Sequence, residues 1–106
     1  MKYGLPQSTI QKICAVLNRY PTVEKAILYG SRAKGNYKNG SDIDLTLRGT
    51  DLTLNVIYKI LDELLLPYTI DLSIFNTIHD PDVIEHIQRV GVTFYDKSKA
   101  IPELVA

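Results

Sequence analysis

Only one of the 106 residues is a cysteine, Cys14, so no disulfide can form within the chain and a reducing compartment is its natural setting. An excess of positive charge is missing as well, because twelve Lys and Arg balance twelve Asp and Glu. Proteins that gather nucleic acid by themselves usually carry a basic stripe or a high pI, so direct nucleic acid binding is not expected. No stretch approaches the roughly 18 consecutive apolar residues of a membrane span. The start, Met1 to Pro6, also lacks the basic region and apolar run of a signal peptide. These absences point to a soluble, cytoplasmic chain with no membrane partner. Its length suits one hydrophobic core, a single domain over residues 1–106, and leaves no room for a second substantial domain.

What is present is a regular alternation of helical and strand patterns. Ser8-Thr9-Ile10-Gln11 has the form of a capping box, and Ile10, Ile13, Cys14 and Leu17 share one helical stripe, which predicts a helix from about Thr9 to Asn18. Pro21 breaks it, and Val23 to Tyr29 reads as a buried strand that stops at Gly30-Ser31. Ser31 to Ser41 is polar and glycine-rich, a surface loop with one helical turn after Ser31. Asp42 to Arg48 alternates, with Ile43, Leu45 and Leu47 on one side and Asp42, Asp44 and Thr46 on the other. Leu54, Ile57, Ile60, Leu61, Leu64 and Leu65 predict a second long helix over about Thr53 to Leu66. Thr69 to Phe75 alternates again and places Asp71 opposite its apolar face. Asp80 caps a third helix with Pro81 at its first position and Gly91 at the expected left-handed C-terminal position. Val92 to Tyr95 adds a short edge strand, and 97–106 reads as a loosely ordered tail. The predicted class is α+β: a small mixed sheet of three to four strands with helices packed on one face, burying Ile43, Leu45, Ile70 and Leu72.

The opposite face then calls for its own explanation. Asp42 and Asp44 leave their strand side by side, and Asp71 joins them if the second and third strands are neighbours. Carboxylates this close repel one another unless a cation lies between them. With no Cys or paired His nearby, the donor set favours Mg²⁺ or Mn²⁺, which commonly bridge a few carboxylates to substrate phosphates. Gly30-Ser31 offers the matching anion site, since a glycine admits close backbone approach and the Ser31 hydroxyl adds a donor. Arg32 and Lys34 follow at once and are candidates to neutralise a triphosphate, although both, like Lys38, also suit a merely solvated loop.

Gly30-Ser31, ten intervening residues, and then Asp42-Ile43-Asp44 resembles the signature of the DNA polymerase beta-like nucleotidyltransferase superfamily, with Asp71 fitting its later, third carboxylate. The likeness covers about Tyr29 to Leu72. The loop Gly-Ser-Arg-Ala-Lys-Gly and the short chain look like the minimal nucleotidyltransferases that pair with HEPN-family proteins in toxin–antitoxin modules. The resemblance implies a nucleotidyltransferase fold in which Gly30 and Ser31 hold the β- and γ-phosphates of ATP. It further implies that Asp42 and Asp44 hold two Mg²⁺ ions, and that Asp71 binds the catalytic metal or helps deprotonate the acceptor. The implied reaction moves AMP to a hydroxyl of a HEPN partner and releases pyrophosphate. A non-catalytic module that masks the partner by contact, through tail residues such as Ile101, Leu104 and Val105, is the first alternative, and transfer to a small-molecule acceptor is the second.

Rival motifs fail on inspection. Gly30-x-x-x-x-Gly35 is followed by Asn36-Tyr37, where a P-loop requires Lys and then Ser or Thr, and no Gly-x-Gly-x-x-Gly occurs. Cys14 falls on the apolar stripe of its helix and is assigned to packing. His79 in a turn, and His86 on the polar side of the last helix, are read as solvated for want of clustered partners. The seven tyrosines suit core edges and surface better than base stacking, because no basic groove accompanies them.

Overall fold

The computed structural model describes residues 1–99. A tight turn precedes helix α1 (Gln7–Asn18), and strand β1 (Val23–Tyr29) runs directly into a short helix α2 (Gly30–Lys34). Strand β2 (Ile43–Gly49), helix α3 (Leu54–Glu63) and strand β3 (Ile70–Ile74) follow. A 3₁₀ turn (Phe75–Thr77), helix α4 (Pro81–Val90) and strand β4 (Val92–Asp96) complete the order. The sheet order is β3-β2-β1-β4, with β1 antiparallel to both β2 and β4 and β2 parallel to β3. A parallel neighbour needs a crossover, and α3 supplies it.

Strand alternation sorts the side chains as the sequence pattern requires. Ala26 pairs with Leu47, Leu28 with Leu45 and Ile43 with Ile70, and the buried members of this face form the core with Ile13, Leu17, Ile57 and Ile60 from α1 and α3. Tyr29 pairs with Asp44, Ile27 with Thr46 and Asp44 with Asp71 on the other face. Helix α4 adds a partial cover to that second face. Its His86 ring meets Tyr29, and a Cβ on Gly91 just beyond it would press on Ile27.

Several local expectations change. Helix α1 begins at Gln7 because the Pro6 carbonyl already accepts from Thr9 and Ile10, so Ser8 lies inside the first turn and the predicted capping box does not form. Helix α3 ends at Glu63, three residues short of the predicted limit, while Thr53 caps its start by accepting from the Val56 amide at 3.4 Å. Asp80 caps α4 as expected, but Gly91 is extended at φ −63° rather than left-handed, since the chain passes straight into β4. There a glycine is needed for space: any Cβ would strike the Ile87 carbonyl. Of the predicted tail, Lys97 donates to the Pro21 carbonyl at 2.8 Å and Ser98 bonds Asp96, whereas residues 100–106, including Ile101, Leu104 and Val105, lie outside the described residues.

Candidate active site

The acidic edge is assembled by strand register. Because β2 and β3 are parallel neighbours, Asp44 and Asp71 are direct partners, while Asp42 stands just before β2, two residues from Asp44. Asp44 is half-buried, and Asp42 and Asp71 are exposed. Burial pushes the Asp44 carboxyl above the usual carboxylate range, and the charges of Asp71 and Asp42 push it further. That is the electrostatic condition a bound cation relieves.

Gly30 closes the site from the β1 side. Its φ of +74° is a left-handed conformation, and a Cβ there would land on the Asp44 carboxylate. Glycine is required here both for the turn and for room. Gly30→Ala is expected to destabilise the fold by about 1–3 kcal/mol through the strained backbone, and to push Asp44 aside; thermal denaturation measures the first effect.

Beneath the acids the face stays polar, with Thr46 and Ser73 paired in register and the buried Thr46 hydroxyl without a protein hydrogen-bond partner. Tyr29 flanks them, its hydroxyl pushed above its ordinary value by burial, against a hydrogen bond with Ser73 and with smaller upward pushes from Asp71 and Asp44. A cleft of about 860 Å³ is lined in part by Lys25, Ile27 and Arg48 of this same face, but Asp42, Asp44 and Asp71 do not line it. With Asp42 and Asp71 exposed, the carboxylates stand open to solvent where β2 and β3 begin.

Each predicted residue can now be placed. Gly30 and Asp44 touch, and Asp42, Asp44 and Asp71 interact electrostatically. Ser31 follows Gly30 in the first turn of α2, partly exposed, and Lys34 is exposed at the end of that helix. Arg32 is different. It is 2% exposed, and its guanidinium donates to the Ser41 carbonyl at 2.8 and 3.1 Å and to the Tyr3 carbonyl at 2.9 Å, between the rings of Tyr37 and Tyr68. These bonds engage its fork and tie the Ser41 carbonyl, next to Asp42, to the turn at Tyr3.

His86 also departs from expectation. Rather than being solvated, it is partly buried, meets the Tyr29 ring edge-on at 6.2 Å, and accepts from the Gly30 amide at 3.3 Å through Nε2. Its position three residues after Val83 and four before Val90 puts it on the flank of the apolar stripe, a signal the bare residue type obscured.

The donor chemistry fits a hard divalent cation: carboxylate oxygens only, mutually repulsive, on an exposed edge. Among the described residues no three His, Cys, Asp or Glu side chains are gathered into a ready-made metal cage. Phosphate oxygens and water would have to complete the coordination of any Mg²⁺ held by Asp42, Asp44 and Asp71, as is usual for that ion.

Comparison with known proteins bears on the family and the fold. The model of the family described as "Polymerase beta, Nucleotidyltransferase" matches residues 11–100. Comparison with curated protein sequences returns no match. Among solved structures, the chain is similar to one from a toxin–antitoxin crystal structure with AMP-PNP, at TM-score 0.68 and 20% identity over 94% of this chain and 80% of that one. It is also similar to a chain from the tri-AMPylated Shewanella oneidensis HEPN toxin in complex with MNT antitoxin, at TM-score 0.66 and 18% identity over 91% and 76%. A putative nucleotidyltransferase from Sulfolobus solfataricus aligns at TM-score 0.51 and 18% identity over 91% and 94%. The family match runs through all four strands of the sheet and not merely through its acidic edge, so the chain belongs to the polymerase beta nucleotidyltransferase family.

Proposed function

We propose that this chain transfers AMP from ATP to a hydroxyl on a HEPN-family partner protein and releases pyrophosphate. The observation that carries the reading is the register pairing of Asp44 with Asp71 beside a glycine that touches Asp44, in a chain of this family. The likeness to chains from toxin–antitoxin structures, one with AMP-PNP and one with an AMPylated HEPN toxin, supports the nucleotide and the partner. An open edge also suits a macromolecular acceptor, which can complete and cover the site.

Gly30 and Ser31 hold the β- and γ-phosphates, with Lys34 close enough in sequence to offset their charge. Asp42, Asp44 and Asp71 would hold two Mg²⁺ ions, whose chemistry is to stabilise the entering and leaving oxygens of an in-line displacement. The acceptor oxygen forms a bond to the α-phosphorus as the bond to the bridging oxygen of pyrophosphate breaks. Asp71, the exposed member of the strand pair, takes the acceptor proton or shares in binding the metal on the acceptor side. A cytoplasmic setting is part of the proposal; separately, among the described residues no helix is long and apolar enough to cross a membrane. The balanced charge leaves nucleic acid an unsuited partner.

The test is direct. With α-labelled ATP and Mg²⁺, label should appear on a co-purifying HEPN partner and be lost without the divalent ion; an unlabelled partner in an intact complex sinks the reading. One observation favours a second reading, contact without catalysis: Leu54 and Tyr58, one turn apart on α3, and Leu65 beyond its end are exposed apolar side chains. Neutralisation of the partner by a protein lacking Asp42 and Asp44 would select it.

A further inference from the structure

We infer that His86 is a positioning residue for nucleotide binding, which holds the Gly30-Ser31 corner in its phosphate-gripping shape by accepting the Gly30 amide hydrogen. The inference rests on the proposed reading that this corner binds a nucleotide. Strand pairing ends at Tyr29, opposite Asp44, so the Gly30 amide has no sheet partner. The first amides of a helix have no acceptor within it either. Without His86 the amide of a residue held at φ +74° would have no protein acceptor at the point where backbone, Asp44 and ligand must meet.

Nε2 of His86 fills that role at 3.3 Å, which leaves the ring proton on Nδ1. The ring is itself oriented edge-on to Tyr29, the residue that pairs with Asp44. Helix α4, contributed 56 residues later in the chain, thereby fixes the end of β1 and the start of α2. None of the aspartates needs to move for this brace to matter. Its loss lets the corner sample other turns, so phosphate affinity falls while the reacting groups are untouched.

Three full-length variants separate the possibilities. His86→Leu keeps bulk against Tyr29 but removes the acceptor, His86→Ala removes both, and His86→Gln retains an oxygen able to accept the same hydrogen. Calorimetric titration with a non-hydrolysable ATP analogue and Mg²⁺ should show roughly tenfold weaker binding for Leu and Ala, with Gln restoring most of it. In the transfer assay KM for ATP should rise by a similar factor while kcat stays within about twofold. A purely structural role would lower the active fraction and leave KM alone.

Should the variants fail to fold, hydrogen exchange at the Gly30 amide of the unmodified protein without nucleotide decides: slowed exchange supports the brace, and exchange at the rate of an exposed amide overturns it. Unchanged or tighter binding by folded Leu and Ala variants also overturns it. Absence of binding by the unmodified protein would instead remove the nucleotide reading, and this inference with it.

Discussion

Replacing Asp42 and Asp44 together by asparagine should lower AMP transfer by at least about a thousandfold while leaving a folded protein, because charge aimed at the reacting phosphate is the largest catalytic contribution such a site can make. Asparagine keeps the size of each side chain and removes its charge. The fold should not suffer. Burial, together with Asp71 and Asp42, raises the Asp44 carboxyl above its ordinary value of 3.8. A group raised in this way stabilises the folded state fully only below its unfolded value, and the contribution disappears as pH climbs through the folded value. At neutral pH without a cation, the ionised Asp44 therefore opposes folding. The variant should melt at or slightly above the temperature of the unmodified protein in chelator, and Mg²⁺ with ATP should raise the melting temperature of the unmodified protein alone. A variant that melts markedly lower in chelator would show that the acids serve structure.

Arg32→Ala should have the largest effect on stability among the polar positions, a loss of about 3 kcal/mol and roughly 15 °C in Tm, since it strands several carbonyls and opens a gap between two rings. The guanidinium links Ser41, immediately before Asp42, to the turn at Tyr3, and two tyrosine rings flank it. Arg32→Lys should recover less than half, because an ammonium cannot reproduce the fork. The kinetic signature distinguishes this brace from a phosphate ligand: at a temperature where Arg32→Lys is folded, its KM for ATP should match that of the unmodified protein. A raised KM with normal melting would return Arg32 to the phosphates.

These two arginine and aspartate cases show where local pattern is informative. Asp42, Asp44 and Asp71 could be read from alternation because a strand has a period of two, so residue type and face are tied together within a few positions. Arg32 and Lys34 are both basic and stand two and four residues after Gly30, yet one is buried against carbonyls and the other is exposed. Nothing local separates them, because the acceptors of Arg32 lie 28 and 29 residues before it and 9 after. For His86 the flank of the apolar stripe hinted at burial, but its partner Gly30 stands 56 residues away, so the contact exists only once α4 lies across the second sheet face.

By itself, the sequence determined the strands, the long helices to within a few residues at their ends, the core face, and the Gly-Ser and Asp-x-Asp pairing on the face opposite, since each depends on interactions spanning a handful of residues. Tertiary structure alone decided that β2 and β3 lie side by side and parallel, that Asp44 faces Asp71, and that Arg32 and His86 turn inward to hold the corner. Those outcomes depend on which distant donors find acceptors when water is excluded, and chain order carries no local trace of that choice.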